Sequence, residues 1–170
     1  MIYFECYSDQ AFLQSLGLSA KQLDHSFSKG NVCNKLEKNS NSIGFADEDP
    51  KEFQPKFIRE LIQSKRMVYE DLYLILFDIP KTENKLVLIR PNIEAWSIRI
   101  AQELKIDLTS SQYRLSNNEE ELHEMLGFAR NKRKLTAFKN FFTNSTNHSS
   151  ILKIKEFIKE FFRLCNTTLQ

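Results

Sequence analysis

The amino-acid sequence predicts a three-layer α/β domain with a small, mostly parallel sheet and a helical C-terminal segment. Up to residue 105, short apolar runs alternate with segments of helical periodicity, which is typical of strands joined by helices. Beyond that point we find helical patterns only. A chain of 170 residues can bury a core of its own. We therefore expect residues 1–170 to form a single domain, with an α/β core over residues 2–105 and C-terminal helices over residues 116–165.

The first part of the chain is expected to contain two strands and three helical pieces. In chain order these are a strand over residues 2–7, a helix from Asp9 to Leu16 capped by Ser8, a short helix over residues 32–36, a strand over residues 43–46 and a helix opened by Pro55. Lys29-Gly30 lies in a polar stretch and is predicted to be a turn. A cation near a phosphate is the alternative role for Lys29.

The second part is expected to contain two more strands and then helices. In order these are strands over Leu72–Ile79 and Leu86–Ile89, a helix over Ile93–Leu104, a helix from a capping box at Ser116 toward Phe128, and amphipathic helices over Lys132–Phe142 and Ile151–Leu164. The two strands either pair as a hairpin or lie as neighbours, which makes a sheet of four strands. We assign the apolar stripe of the last helix, Phe157 to Phe162, to the core rather than to a partner surface.

Acidic residues follow the first two strands. Glu5 ends the first apolar run with Asp9 four residues later, and the second run ends at Asp47 and Asp49, just before Pro50. The carboxyl edge of the sheet is where open α/β folds bind ligands. Carboxylates gathered there suit Mg²⁺, and a bound cation of this kind promotes phosphoryl transfer.

These motifs resemble those of the Toprim domain, a Rossmann-like fold found in topoisomerases, bacterial-type primases, recombination proteins and OLD-family nucleases. Ile2-Tyr3-Phe4-Glu5 with Asp9 resembles its first motif, and Asp47-x-Asp49 resembles its second. Pro91-x-x-Glu94-x-Trp96 is similar to a segment of small Toprim-like proteins related to OLD nucleases and RloB-type proteins, some of which are linked to phage defence. The resemblance covers about residues 2–105. Cys6 departs from it, since the family usually has Gly after the first Glu.

The resemblance implies a Mg²⁺- or Mn²⁺-dependent nuclease. Asp47 and Asp49 would hold the metal, Glu5 would be a further ligand or a general acid or base, and Glu94 would be a ligand or support. The alternative that we keep is a non-catalytic Toprim-like module that binds nucleic acid or a partner protein, such as a separate ATPase. A plainer reading makes Asp9 and Glu94 acids that stabilise helix N-termini.

The charge of the chain is polarised along its length. Residues 128–170 contain nine Lys or Arg and two Glu, although the net charge of the whole chain is only +2. The triplet Lys132, Arg133 and Lys134 is our candidate for contacts with the phosphate backbone of nucleic acid. These basic residues also fit the solvent-facing sides of two helices.

Other features exclude several classes of protein. Cys6, Cys33 and Cys165 are too scattered for a disulfide framework or a zinc site. No apolar run reaches the length of a membrane span and no basic segment precedes the first strand, so we expect a cytoplasmic protein. His25, His123 and His148 are isolated in the sequence and are predicted to lie at the surface.

Overall fold

The structure, a computed structural model, describes residues 1–128 and 131–167, with side chains through residue 163. Arg130 and the side chain of Cys165 lie outside this part. The strands are β1 (Ile2–Phe4), β2 (Leu23–His25), β3 (Ile43–Asp47), β4 (Met67–Glu70), β5 (Leu74–Ile79) and β6 (Asn84–Ile89). The helices are α1 (Tyr7–Ser15), α2 (Lys29–Lys38), α3 (Lys56–Gln63), α4 (Ile93–Glu103), α5 (Glu119–Leu126), α6 (Lys132–Asn144) and α7 (Ser149–Thr167).

The six strands form one mostly parallel sheet in the order β2-β1-β3-β6-β5-β4. The strands β2, β1, β3 and β6 run parallel, whereas β5 and β4 run antiparallel to their neighbours. The predicted fold class is therefore confirmed, and the two central apolar runs pair as a hairpin, β5–β6. The predicted count of four strands is wrong. The missed strands β2 and β4 are short edge strands that contain polar residues and lack a buried apolar run.

Helices cover both faces of the sheet and give the three layers. On one face, Tyr3, Ala46, Ile75 and Leu88 pack with the apolar side chains of α2 and α3. On the other face, the inward residues of the strands share one cluster with α1 and α4 to α7. Trp96 lies in that cluster without solvent exposure and stacks on Phe142. The stripe of α7 belongs there too, since Phe157, Ile158 and Phe161 are buried, as predicted.

Several predicted element starts differ from those in the structure. The helix α1 begins at Tyr7 after Cys6 rather than after Ser8, because Asp9 accepts the backbone N–H of Cys6. Asn118, and not Ser116, caps α5 by accepting the N–H of Glu121. At α5 the correction arises because Ser and Asn are both good N-cap residues, whereas at α1 the start is set by Asp9, which binds the backbone N–H of Cys6. Among the described helices, none is long and apolar enough to span a bilayer.

Candidate functional site

The central parallel strands bring three of the predicted acidic residues to one edge of the sheet. Glu5 follows β1, Asp47 ends β3, and Glu94 lies in the first turn of α4 after β6. Because β1, β3 and β6 are parallel neighbours, their carboxyl ends meet at the same edge. Asp9 and Asp49 join them from α1 and from the loop after β3. We call these five residues (Glu5, Asp9, Asp47, Asp49 and Glu94) the acidic cluster.

Asp47 lies deepest at the end of its strand. Ile43 and Phe45 point from the same face of β3 into the core beneath α1 and α4, so the two-residue period turns Asp47 toward these helices as well. The residue is only 9% exposed, and its Oδ1 has no hydrogen-bond partner in the described structure. Burial raises the pKa of Asp47 well above its usual value, and repulsion from the other four members of the acidic cluster raises it further.

Asp9 has both a structural role and an unsatisfied oxygen. Its Oδ2 accepts the backbone N–H groups of Glu5 at 3.0 Å and of Cys6 at 2.9 Å, which fixes the start of α1. Its Oδ1 is buried and finds no hydrogen-bond partner among the described residues. Burial raises the pKa of Asp9 to about 8, with further contributions from the charges of Glu5 and Glu94. The helix-start interpretation of Asp9 therefore accounts for only one of its two oxygens.

Glu5 connects the acidic cluster to the start of α2. Burial raises its pKa, against the lowering effect of the backbone N–H and the ammonium of Lys29. Its Oε2 is buried and also lacks a hydrogen-bond partner within the part of the chain described. Glu5, Asp9 and Asp47 thus each contribute one buried oxygen that no group of the described residues satisfies.

Lys29 lies at this edge and is not in a turn, contrary to the prediction. It is the first residue of α2, which Ser28 caps by accepting the N–H of Asn31. The Lys29 side chain is buried, and its Nζ lies 2.9 Å from the carbonyl oxygen of Glu48 and 3.0 Å from Oδ2 of Asp49. The cation therefore fixes the loop after β3 and offsets part of the negative charge of the acidic cluster.

The loop that carries Asp49 is held on its other side as well. The N–H of Asp49 donates to the carbonyl oxygen of Pro91 at 2.8 Å, and Arg90 forms two hydrogen bonds with the Glu48 carboxylate. Asp49 has a φ of 44°, a left-handed conformation that is uncommon for residues other than glycine. Strain held in this way by neighbouring bonds is often found at functional sites.

Glu94 is buried and has two neighbours that could hold it in place. Its Oε1 accepts a hydrogen bond from Ser8 Oγ at 3.2 Å and lies 3.5 Å from Nδ1 of His123. The hydrogen bond with Glu94 raises the pKa of His123, the more so because the carboxylate charge is close. Glu94 is therefore turned inward at the start of α4, which stabilisation of the helix dipole alone does not require.

The prediction for the histidines is only partly right. His123 is exposed, as expected, but it contacts the acidic cluster through Glu94. His25 is partly buried, and its Nε2 lies 2.9 Å from the carbonyl oxygen of Glu5. His148 is buried, because it caps the start of α7 and lies between Glu103 at 2.9 Å and Ser150 at 2.8 Å.

Cys6, which stands where the resemblance to Toprim domains would lead one to expect glycine, has no backbone strain. Its φ of −137° and ψ of 175° are extended values that any residue adopts. Its Sγ lies 2.9 Å from Ser8 Oγ, and burial raises the pKa of the thiol well above its ordinary value. The Cys6 side chain is therefore an uncharged thiol that lies beside Ser8, and it is not a thiolate nucleophile.

The three residues of the basic triplet of α6, Lys132, Arg133 and Lys134, have different surroundings. Lys132 lines an open groove of about 580 Å³ between α1 and α6, together with Tyr7, Gln10 and Lys139. Arg133 is exposed, and the ammonium of Lys134 donates to the carbonyl oxygen of Arg114. Of the predicted triplet, Lys132 therefore lies best for contact with a ligand in the groove.

The donor chemistry of the acidic cluster fits a hard divalent cation. Within residues 1–128 and 131–167, there is no group of three or more His, Cys, Asp or Glu side chains whose arrangement could hold a metal ion. Mg²⁺ needs fewer ligands than that, because it usually binds one or two carboxylates and keeps several waters. The unsatisfied oxygens of Glu5, Asp9 and Asp47 are acceptors for which a cation would be a partner.

Sequence reasoning did not place Ser8 or His123 beside the acidic cluster, and it offered a cation role for Lys29 only as the alternative to a turn. A signal existed for Lys29, since Ser28 is a favourable N-cap residue and Val32 and Leu36 follow at helical spacing. No sequence signal places Ser8 or His123 beside Glu94, because that proximity depends on how α1 and α5 pack against α4.

Comparisons of the chain with protein-family models, curated proteins and solved structures gave no match.

Proposed function

We propose that this protein is a Mg²⁺- or Mn²⁺-dependent nuclease that hydrolyses phosphodiester bonds of nucleic acid, as the Toprim resemblance implies. The observation that carries the proposal is the acidic cluster, in which three buried carboxylate oxygens have no hydrogen-bond partner among the described residues. Retaining such groups costs stability, because burial and mutual repulsion disfavour their charged forms. A function that needs the charges explains why the chain keeps them.

Asp47 and Asp49 would hold the cation in this proposal, with Glu5 and Glu94 as further ligands or supports. A bound divalent cation would orient a water and neutralise charge that develops on a phosphoryl oxygen. Asp9 would keep the backbone at Glu5 and Cys6 in place through its Oδ2. Ser8 would hold Glu94 in its inward orientation.

Glu5 and Lys29 would supply the remaining chemistry from the chain itself. The raised pKa of Glu5, caused by burial, brings this carboxyl closer to neutral pH, where a general acid or base is most effective. The Lys29 ammonium lies at the same edge and would attract the phosphate of a substrate. Lys132, with Lys139 in the same groove, would contact the phosphate backbone without reading sequence.

The second candidate is a non-catalytic module that binds nucleic acid or a partner protein, such as a separately encoded ATPase. It is favoured by Cys6, whose side chain lies against Ser8 in space that the glycine of the family motif would leave open.

In either case we place the protein in the cytoplasm, where Cys6 and Cys33, which are unpaired in the structure, would stay reduced.

Cleavage assays separate the two candidates. Labelled single-stranded DNA, duplex DNA and RNA are incubated with Mn²⁺ or Mg²⁺ and the wild type, Asp47→Asn or Asp49→Asn. The matched control is Asp107→Asn, which changes an exposed aspartate in a turn far along the chain. We expect cleavage by the wild type and the control, and a loss of at least 100-fold in both cluster variants. Equal cleavage by Asp47→Asn, or no cleavage of any polymer by the wild type, would rule out the nuclease.

A further inference from the structure

Phe27 is an exposed aromatic residue held in a strained conformation. Its side chain is 74% exposed and its φ is 66°, a value that is rare for a bulky residue. Both neighbours are fixed: the N–H of Ser26 donates to the carbonyl oxygen of Phe4 at 2.7 Å, and Ser28 caps α2. The backbone therefore holds the ring outward although burial would be the favourable choice for it.

The ring of Phe27 is the outermost member of an aromatic stack. It lies on His25 with 4.1 Å between ring centroids, and His25 in turn stacks on the buried Phe4 at 5.1 Å. Tyr7 packs edge-on against His25 at 4.6 Å. The stack therefore ends in a flat and accessible aromatic surface. We call Phe27 and His25 the aromatic platform.

A basic groove adjoins the aromatic platform. It has a volume of about 340 Å³ and is lined by the platform and by one side of α2, with Asn31, Asn34, Lys35 and Lys38. Lys35 is partly exposed and is paired with Asp24 at 2.7 Å, and Lys38 is exposed one turn further on. A flat aromatic surface beside ammonium and amide groups matches a base with its phosphates.

The aromatic platform is also next to the acidic cluster. Nε2 of His25 lies 2.9 Å from the carbonyl oxygen of Glu5, and Lys29 follows Phe27 by two residues. Tyr7 touches His25 and lines the groove that contains Lys132 and Lys139. Tyr7 therefore lies between the two basic grooves, since it lines one of them and contacts His25, which lines the other.

We propose that the aromatic platform stacks a nucleobase of single-stranded nucleic acid, and that Lys35 and Lys38 contact the phosphates of the same strand. In a duplex the faces of internal bases are already stacked, so a platform of this kind selects single strands or flipped-out bases. The inference rests on the proposed function for its nucleic-acid substrate, but binding at the platform needs neither the cation nor cleavage.

The test is a binding titration in EDTA with full-length Asp47→Asn protein, so that cleavage cannot occur. Fluorescence anisotropy follows a labelled 12-residue oligo(dT), the matching oligo(rU), an abasic strand of the same length and a duplex. Phe27→Ala and Phe27→Trp are compared in this background. The matched control is Val68→Ala, which removes exposed apolar surface from β4 at the opposite edge of the sheet.

Stacking on an aromatic side chain is worth about 5- to 150-fold in affinity per base. We expect Phe27→Ala to weaken binding of the oligo(dT) and oligo(rU) by about tenfold and to leave the abasic strand unchanged, while Phe27→Trp and Val68→Ala bind normally. Equal weakening for the abasic strand, or unchanged binding by Phe27→Ala, would overturn the platform. Binding can prove independent of Phe27 while the wild-type protein still cleaves nucleic acid, and binding can depend on Phe27 while no cleavage occurs. The two proposals are therefore tested separately.

Discussion

Asp47 is the residue at which the energetic cost of the acidic cluster is most concentrated. It is buried at the end of a central strand and is surrounded by four other carboxyl groups. In the described structure its Oδ1 has no partner, and an unpaired buried carboxylate destabilises a fold. We infer that the folded protein holds part of the acidic cluster protonated near neutral pH.

The first prediction is that Asp47→Asn stabilises the protein. The pKa values of Asp9, Asp47 and Glu5 are raised on folding, so the folded state binds more protons than the unfolded state between about pH 4 and pH 8. The contribution of these three groups to wild-type stability should therefore fall as the pH rises through this window. Asp47→Asn removes one of these groups and should raise the free energy of unfolding by about 1–3 kcal/mol at pH 8, measured by urea unfolding.

The control for this prediction is Asp107, whose pKa is shifted in the opposite direction. Hydrogen bonds from Thr109 lower the pKa of the exposed Asp107, so its charged form favours folding above the unfolded pKa. Asp107→Asn should therefore give no gain in stability at pH 8. If Asp47→Asn is less stable than the wild type at pH 8, or if its advantage does not grow from pH 5 to pH 8, the electrostatic description of the acidic cluster is wrong.

At the level of elements, the packing of α2 on β3 positions Lys29 at the carboxyl edge of the sheet. Gly44 lies in β3 where a Cβ atom would come within 2.6 Å of Leu36 and 3.0 Å of Val32, both on α2. It would also approach Leu86 on β6 at 2.9 Å. The absence of a side chain at Gly44 therefore lets α2 approach the sheet closely, with Lys29 at the helix start over the carboxyl edge.

The second prediction compares two glycines of this unit. Gly44→Ala should destabilise the protein by about 1–3 kcal/mol, because the added methyl group overpacks the contact with α2. Gly30→Ala is the matched control, since its Cβ would meet only Ser28 Oγ at 4.0 Å. In the first turn of α2 it should be neutral or stabilise by about 0.5–1 kcal/mol. Thermal unfolding measures both changes, and a neutral Gly44→Ala would contradict the close approach of α2.

The elements also show how far the sequence alone predicts this structure. The strands β1, β3, β5 and β6 were predictable because burial on both faces demands continuous apolar runs. The edge strands β2 and β4 were not, since a sheet edge tolerates polar residues such as Asp24 and Glu70.

The same contrast applies to the candidate site. Glu5 and Asp47 could be placed at one edge because each directly follows an apolar run, and parallel strands align their carboxyl ends. The positions of Lys29 and His123 depend instead on the orientation in which α2 and α5 return to the sheet. His25 was missed for a similar reason, because its strand was not recognised and its packing against Phe4 and Tyr7 depends on the sheet order.

At the scale of the whole molecule, charge is separated between the acidic cluster and the C-terminal helices. The acidic cluster lies at the carboxyl edge of the sheet, and nine of the 24 Lys and Arg residues lie after residue 127. Lys132 and Lys139 line the groove between α1 and α6, whose other wall contains Tyr7 at the start of α1. This arrangement favours a polyanion that lies in the groove and reaches the acidic cluster.

The third prediction concerns the salt dependence of nucleic-acid binding. Replacing both groove residues, Lys132→Gln and Lys139→Gln, should weaken binding of single strands and reduce the slope of log affinity against log salt by about 1–2. The matched control is Lys159→Gln, which removes an exposed charge from α7. Titrations at several salt concentrations measure the slopes. Equal effects of groove and control changes would mean that the basic residues only solvate their helices.

The most direct measurement is a calorimetric titration of Mn²⁺ into the wild type, Asp47→Asn and Asp107→Asn at pH 7.5 in buffers of different ionisation enthalpy. We expect the wild type and Asp107→Asn to bind the ion and to release protons, because the pKa of Asp9, raised to about 8, and those of Asp47 and Glu5 must fall when a cation joins the acidic cluster. Asp47→Asn should bind at least tenfold more weakly and release fewer protons. Binding of equal strength in Asp47→Asn, or no binding in the wild type, would contradict a divalent-cation site at this edge of the sheet.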